Sequence, residues 1–276
     1  MMKIAAMQGR LGSSEDGRIQ CSPRMHWHEE FAKAEDIRLY GIEWIDDLYS
    51  ADENPLFTDA GLTKLRSLIT THGVCIPAVC VNRCIEEPIF RCTDVEREAR
   101  IDHLRTVLQQ AKKIGADHIV LPFLDSASLA TRQDEDIVIA ALKELLPDAD
   151  ALDIEIHLET SLAPRAFAAF LERISDPLIR VTYDIGNSAG FNFDPHEEFA
   201  AYGDRVGSVH IKDKPHGGST VPLGTGDADF ATIAQELKNV DFRGLYTLEA
   251  ARQANGDEVR VYAEYRAFAE RWFAAV

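Results

Sequence analysis

The sequence predicts an α/β protein built as a single (β/α)8 TIM barrel over residues 1–276. Eight short runs typical of strands alternate with helical stretches, and no low-complexity segment interrupts them. One such barrel takes about 250 residues, close to the 276 residues of this chain. Four polar side chains that can bind a metal follow apolar runs at intervals of 25, 26 and 39 residues, about one strand–helix unit each. These observations favour one closed parallel barrel over two domains.

Each predicted strand is a short run bounded by Gly, Asp or Asn and rich in residues that favour strands. The eight runs are residues 3–8, 41–45, 74–81, 117–121, 153–159, 179–184, 206–211 and 244–249. Between the third and fourth runs, apolar residues recur at helical spacing and predict a helix over residues 94–114. Two lysines in its last turn, followed by Gly115, are typical of a helix C-terminus.

The charge of the chain argues against a nucleic-acid partner. Asp and Glu outnumber Lys and Arg by 46 to 29, which gives a formal net charge of −17. Binding to DNA needs Lys and Arg to displace the counterions of the phosphates. We therefore expect no nucleic-acid partner, although a local basic pocket for one sugar phosphate is compatible with this charge.

The N-terminus and the cysteines predict a cytoplasmic protein. The opening MMKIAAMQGR has no long apolar h-region and no run is long enough to span a bilayer, so we expect no cleaved leader and no membrane partner. The five cysteines are odd in number and form no Cys-x-x-Cys pair, which argues against a disulfide framework and a structural zinc site. The oligomeric state stays open, and a homo-oligomer is compatible with the sequence.

Four candidate metal ligands lie at or next to the ends of the last four predicted strands. These residues are Glu159, Asp184, His210 and Glu249. Because the strands of a parallel barrel end at one mouth, we expect the four side chains to converge there. Three carboxylates and one imidazole suit Mn²⁺ or Mg²⁺, and Co²⁺ or Zn²⁺ are compatible. Mn²⁺ is the cofactor that we expect.

The same residues predict proton transfer at a carbon next to a carbonyl group. A divalent ion polarises the carbonyl and lowers the pKa of the neighbouring C–H, so that a metal-stabilised enediolate can form. Glu159 and Glu249 come from the fifth and eighth strands and can approach a sugar from opposite faces. One can remove a proton while the other returns one. The predicted function is a metal-dependent isomerase that epimerises or isomerises a small ketose or ketose phosphate.

Motifs in the second half resemble the xylose-isomerase-like barrels of sugar and sugar-phosphate isomerases and epimerases. The motifs are YDIGN, VHIKD, PLGTGDADF and LEA, and they look most similar to the L-ribulose-5-phosphate 3-epimerase branch. The opening MQGRLGSSEDGRIQCSP with YGIEWI looks like the group labelled sugar phosphate isomerase/epimerase. The resemblance implies the same four metal ligands, with Glu159 and Glu249 as the acid/base pair.

Two inward-facing residues are candidates for substrate contact. Strand side chains alternate with period two, so His157 is expected to face inward with Glu159, and Lys212 with His210. Each has an alternative role. His157 can be a hydrogen-bonded interior histidine, and Lys212 can form a structural salt bridge to a carboxylate ligand.

Other candidates for substrate contact lie in the loops at the barrel mouth. Gln8 and Arg10 end the first strand, where Arg10 can pair with a phosphate or carboxylate, or close the barrel by a salt bridge. Asn187 stands where free-ketose 3-epimerases of this family often carry His, so the substrate stays open. The glycines of residues 223–227 can hold a phosphate, but such a segment is more often a tight turn before a helix, with Asp229 as N-cap.

Other functions are compatible with parts of this pattern. A hydroxypyruvate-type isomerase or an inosose dehydratase uses the same proton abstraction. An endonuclease for abasic DNA shares the barrel, but the acidic charge and the single histidine among the proposed ligands count against it. Two acid/base glutamates on one metal also disfavour a sugar-binding barrel without catalysis.

Overall fold

Eight parallel strands close into a barrel in the computed structural model, which describes residues 2–252, 256–274 and 276. The strands are β1 (Lys3–Met7), β2 (Gly41–Ile45), β3 (Ala78–Cys80), β4 (His118–Phe123), β5 (Glu155–Thr160), β6 (Ile179–Asp184), β7 (Val206–Ile211) and β8 (Leu245–Leu248). Each strand pairs with the next one along the chain, and β1 pairs with β8, with Ala5 opposite Thr247. The predicted fold class is confirmed.

Helices follow the strands and cover the barrel. They are α1 (Glu29–Asp36), α2 (Asp59–His72), α3 (Arg83–Glu86), α4 (Asp94–Ile114), α5 (Arg132–Leu152), α6 (Pro164–Glu172), α7 (Ile185–Phe191), α8 (Pro195–Tyr202), α9 (Phe230–Asn239) and α10 (Glu258–Phe273). The predicted helix over residues 94–114 is confirmed: Thr93 and Glu96 form a capping box, and Gly115 ends the helix with a φ of 82°. In the described part of the chain, no helix has the length and apolarity needed to cross a membrane.

Five strands differ in their bounds from the prediction: β1 ends one residue earlier, β8 is one residue shorter at each end, and β3, β4 and β5 differ more. The third strand is shorter than residues 74–81 because Pro77 has no N–H to donate, and only an isolated bridge from Cys75 to Gly41 precedes it. The fifth begins two residues later than predicted, because Asp153 adopts a φ of 52° and ends α5. The fourth extends to Phe123, which pairs with Thr160.

The barrel interior contains both an apolar cluster and a polar group. Buried apolar side chains from β1 to β4 form one cluster, made of Met7, Ile45, Cys80 and Val120. In the polar group, His157, Thr182 and Ser208 from β5, β6 and β7 hydrogen-bond one another. Three of the candidate ligands, Glu159, Asp184 and His210, lie two residues further along these same strands, so this polar group lies next to the site.

Candidate metal centre

The four predicted ligands meet at the C-terminal mouth of the barrel. Ligand atoms of Glu159, Asp184 and His210 all lie within 4.8 Å of one another. Glu249 follows β8 directly, and its Oε2 lies 3.1 Å from His210 Nδ1, while Glu159 Oε2 lies 3.7 Å from the same nitrogen. All four residues are buried. The expected convergence is present, and their role as metal ligands stays a prediction.

Glu43 of β2 orients the histidine of this group. The His210 Nε2–H donates to Glu43 Oε1 over 3.1 Å, and the Thr247 hydroxyl donates to Glu43 Oε2. His210 Nδ1 therefore faces Glu159 and Glu249, and it has no hydrogen-bond partner among the described residues. A carboxylate behind a histidine is the usual support of a metal-binding imidazole. This donor set fits a divalent cation.

The carboxylates around His210 change its pKa. Burial alone would lower the pKa of this imidazole, but Glu43, Glu249 and Glu159 outweigh burial and raise it well above its usual value. A positive charge is thus favoured at the centre of the group. A divalent cation among the same oxygen atoms would satisfy the same electrostatic demand.

Lys212 supplies a second positive charge to the ligands. Its Nζ lies 2.8 Å from Asp184 Oδ2 and 2.7 Å from Glu249 Oε1. Burial opposes the charged form of Lys212, but the neighbouring carboxylates prevail and raise its pKa. This geometry is that of the structural salt bridge, the alternative role for Lys212. The side chain also lines the pocket over the site, so substrate contact stays a prediction.

The two proposed acid/base carboxylates differ in their pKa. Burial raises the pKa of Glu159 to about 8, although His210 opposes the shift. Burial also acts on Glu249, but Lys212 and His210 overcome it and hold the pKa of that carboxyl well below its usual range. The surroundings of Glu159 thus favour its protonated form, and those of Glu249 favour its ionised form. Such divergence is typical of an acid and a base in one site.

Asn187 links the ligands to each other and to Lys214. Asp184 is the N-cap of α7 and its Oδ1 accepts from the Asn187 backbone N–H over 2.8 Å. The Asn187 amide Nδ2 donates to Glu159 Oε1 over 2.8 Å, and its Oδ1 accepts from Lys214 Nζ over 2.6 Å. Asn187 therefore holds the Glu159 carboxylate in place, which is a supporting role in addition to its predicted substrate contact.

A pocket of about 340 Å³ opens above these residues. This volume lies at the lower end of the range of about 300–1,000 Å³ found for ligand pockets and suits a monosaccharide. Glu159, His210 and Glu249 line it. Other polar residues of the lining are Arg10, Gln20, Asn82, Asp125, Asn187, Lys212, Lys214 and Thr220.

Arg10 reaches the pocket from the loop after β1. Its Nη1 donates to the Ala250 carbonyl over 3.1 Å, its Nη2 donates to Gln20 Oε1 over 2.7 Å, and the guanidinium lies 4.0 Å from Glu249 Oε1. Arg10 therefore ties the first loop to the last one beside a candidate ligand, and it is also placed to meet a substrate.

Gln8 and His157 lie outside this pocket lining. Gln8 Oε1 accepts from the Ile45 backbone N–H over 2.7 Å, within the barrel wall. His157 hydrogen-bonds Ser208 through Nδ1 over 2.8 Å, and its ring stacks on His118 with centroids 3.9 Å apart. Its strand position, two residues before Glu159, places it below the ligands. The geometry thus favours the interior role for His157 and gives neither residue a substrate contact.

Two supporting residues escaped the sequence analysis. Glu43 stands inside the apolar run GIEWI and is fully buried, and a carboxylate in such a run is a signal for a buried polar partner. Lys214 follows Lys212 by the same period of two, but its partner Asn187 lies on another element.

Closed eight-stranded parallel barrels with polar clusters at the C-terminal mouth form the TIM-barrel class of enzymes. The sequence profile of the xylose isomerase-like TIM barrel family matches residues 31–271 of this chain. The chain belongs to this family, and the fold and the resemblance predicted from its motifs are confirmed.

Similar proteins include named sugar epimerases and a magnesium-bound member of this fold. L-ribulose-5-phosphate 3-epimerase UlaE of Escherichia coli K12 is 24% identical over 213 residues, which cover 73% of this chain and 74% of that protein. An L-ribulose 3-epimerase structure is similar with a TM-score of 0.79 and 18% identity, covering 100% of this chain and 95% of the other. A Mycobacterium smegmatis xylose isomerase-like TIM barrel protein in complex with magnesium has a TM-score of 0.74 and 17% identity, with 98% and 96% covered.

Proposed function

We propose that this chain is a divalent-metal-dependent epimerase or isomerase of a ketose or ketose phosphate. The observation that carries the proposal is the pair of carboxylates, Glu159 and Glu249, which lie 3.7 and 3.1 Å from His210 Nδ1 and line a pocket of monosaccharide size. One of them favours the protonated form and the other the ionised form. The names of the relatives, which are epimerases of ribulose and its phosphate, support the same reaction class.

The residues of the site divide the work of a proton transfer. Glu159, Asp184, His210 and Glu249 would hold the ion, expected to be Mn²⁺, which when bound polarises the substrate carbonyl. The ionised Glu249 removes a proton from the neighbouring carbon, and Glu159 returns one to the opposite face. Their roles exchange in the reverse direction. Asn187 keeps the Glu159 carboxylate in position.

The test is proton exchange in deuterated water with ketoses and their 5- or 6-phosphates at saturating Mn²⁺. Glu159→Gln and Glu249→Gln are each expected to slow turnover by about 10²–10⁴-fold, the usual contribution of a general acid or base. The exposed Glu172→Gln on α6 is the matched control and is expected to leave the rate unchanged. Near-wild-type epimerisation by either site variant would show that the two-carboxylate mechanism is wrong, and no exchange with any ketose would refute the function.

A further inference from the structure

We propose that a second pocket beside the metal centre binds the phosphate group of a phosphorylated ketose, through Lys214, Ser219, Thr220 and Arg252. The inference rests on the proposed function, because the reacting carbons of the sugar are placed at the metal centre. The loops after β7 and β8 contribute these four residues. Those loops are a frequent location for phosphate sites in TIM barrels.

The second pocket has a volume of about 450 Å³ and adjoins the first one. Arg10, Ile19, Lys214 and Thr220 line both pockets. A molecule whose reacting end lies at Glu159 and Glu249 can therefore extend into the second pocket. The Asn187 amide connects the Lys214 ammonium to the Glu159 carboxylate by two hydrogen bonds.

The charge of the second pocket is opposite to that of the chain. Its described lining residues include three cations, Arg10, Lys214 and Arg252, and no carboxylate, in a protein whose formal net charge is −17. Ketose hydroxyls do not require cations, whereas a phosphate monoester carries a charge of about −1.5 to −2 at neutral pH. This concentration of positive charge favours an anionic group on the substrate.

Part of the positive charge in this pocket is already compensated. Arg252 Nη1 lies 3.6 Å from Glu258 Oε1 and donates to the Gly12 carbonyl over 2.7 Å, and Arg10 approaches Glu249. Lys214 differs from both, because within the described residues no carboxylate lies within 4.0 Å of its Nζ, which donates to the neutral Asn187 amide. Lys214 is therefore the least compensated of the three cations and the one most available to an anionic ligand.

Ser219 and Thr220 offer hydrogen-bond donors to a ligand. In the described part of the chain, neither residue donates through its backbone N–H or its hydroxyl to another protein group. The loop that carries them is held in place nevertheless: the Val221 N–H donates to the Asp213 carbonyl over 2.9 Å and the Gly217 N–H to the Gly190 carbonyl over 2.9 Å. Hydroxyls and backbone N–H groups beside a lysine are the donors that phosphate oxygens accept.

The glycine-rich turn of residues 223–227 does not compete for the phosphate. The backbone N–H groups of Gly224 and Gly226 donate to Asp213 Oδ2 over 2.8 and 2.9 Å. Asp213 is fully buried, so an internal carboxylate already occupies these donors. The tight-turn alternative with Asp229 as N-cap of α9 is therefore the one found, and the donors offered to a ligand lie in the neighbouring loop.

The first experiment measures inorganic phosphate binding by calorimetry in chloride buffer at constant ionic strength. Lys214→Met and Thr220→Val are each expected to weaken binding by about tenfold or more, the effect of losing a hydrogen bond to a charged group. Thr220→Val does not touch Asn187, so it separates a phosphate contact from an effect through Glu159. Lys64→Met, on the exposed face of α2, is the matched control and is expected to bind phosphate like the wild type.

The second experiment compares one ketose with and without its terminal phosphate, together with a ketose that carries a terminal carboxylate. In both variants the ratio of kcat/KM for the phosphate to kcat/KM for the neutral ketose is expected to fall about tenfold or more. If the variants lose phosphate binding but the wild type turns over no ketose, the proposed function is refuted and the subsite stands. Equal losses for both ketoses, unchanged phosphate binding, or a preference for the carboxylate would overturn the subsite.

Discussion

Lys212 places its positive charge next to two carboxylates that a metal would also bind. Its Nζ contacts Asp184 and Glu249 at 2.8 and 2.7 Å, and the lysine is only 7% exposed. Removing one partner of a buried ion pair leaves an uncompensated charge, which typically destabilises a protein by about 3–5 kcal/mol. Lys212 is therefore important for the stability of the site before any substrate binds.

We predict that Lys212→Met lowers the melting temperature of the metal-free protein and enlarges the rise that Mn²⁺ produces. The reason is that the variant leaves Asp184 and Glu249 without a counter-charge, which a bound cation then provides. Thermal unfolding with and without Mn²⁺ measures both effects, and Lys64→Met is the control. A metal-free melting temperature equal to that of the wild type would show that this salt bridge has no structural role, and a fall in kcat/KM alone would then favour substrate contact.

At the scale of elements, helix α1 holds the loop that carries Arg10. The Glu30 carboxylate accepts from the Gly9 N–H over 2.9 Å and from the Leu11 N–H over 3.0 Å. Arg10 lies between these two anchors and reaches the loop after β8 through the Ala250 carbonyl. Glu30, in the first turn of α1, therefore positions the loop that forms part of the pocket wall.

We predict that Glu30 makes the protein less stable as the pH rises towards neutrality. Burial raises the pKa of Glu30 from 4.5 to about 7, so the folded protein keeps a proton that the unfolded chain has released. The stability from this group is full below the unfolded pKa and is lost as the pH rises through about 7, at most about 3 kcal/mol. Urea unfolding between about pH 5 and 8 should show a smaller decline in Glu30→Gln. Equal declines in both proteins would contradict the prediction.

A glycine permits the close contact of α7 with the end of β7. A Cβ atom at Gly186 would lie 2.5 Å from Lys212 Cγ and 2.8 Å from Lys212 Cβ, nearer than side-chain atoms approach. This contact places Lys212 against Asp184, the residue that begins the helix. Within the YDIGN motif, Asp184 is both a candidate ligand and a helix N-cap, and Gly186, two residues later, packs closely against Lys212.

At the scale of the whole molecule, acidic charge and a local basic pocket have different consequences. The formal net charge of −17 repels polyanions, while three cations near the mouth can attract one small anion. An extended nucleic acid has to cross the acidic surface, whereas a sugar phosphate does not. Electrostatic exclusion of nucleic acid is therefore compatible with a phosphate subsite.

We predict no useful affinity for DNA at physiological salt, because binding depends on counterion release by clustered cations. Fluorescence anisotropy with a duplex that contains an abasic site, at an ionic strength of about 0.15 M, is the measurement. The matching undamaged duplex serves as the control. Submicromolar, salt-sensitive binding to the abasic duplex would promote the endonuclease alternative.

Local patterns were sufficient for many elements of the fold. The bounds of β2, β6, β7 and α4 agree with those predicted. The signals that predict them, β-branched runs, helical spacing and a C-terminal glycine, depend only on residues that are close in sequence. The third strand was predicted too long because its apolar run continues past a proline, and pairing with neighbouring strands decides where a strand begins.

The sequence by itself determined the closed barrel and the four side chains at its mouth. Strand periodicity and the position of polar residues at strand ends are properties of short segments, and parallel topology brings those ends together. Only the tertiary structure decided the partners of these side chains. Glu43 contacts His210, which lies 167 residues further along the chain, and Asp213 accepts the hydrogen bonds of the glycine turn that a phosphate would otherwise use. Alternation indicates that a side chain points inward, but which of several inward groups it contacts depends on distances between strands that are remote in the chain.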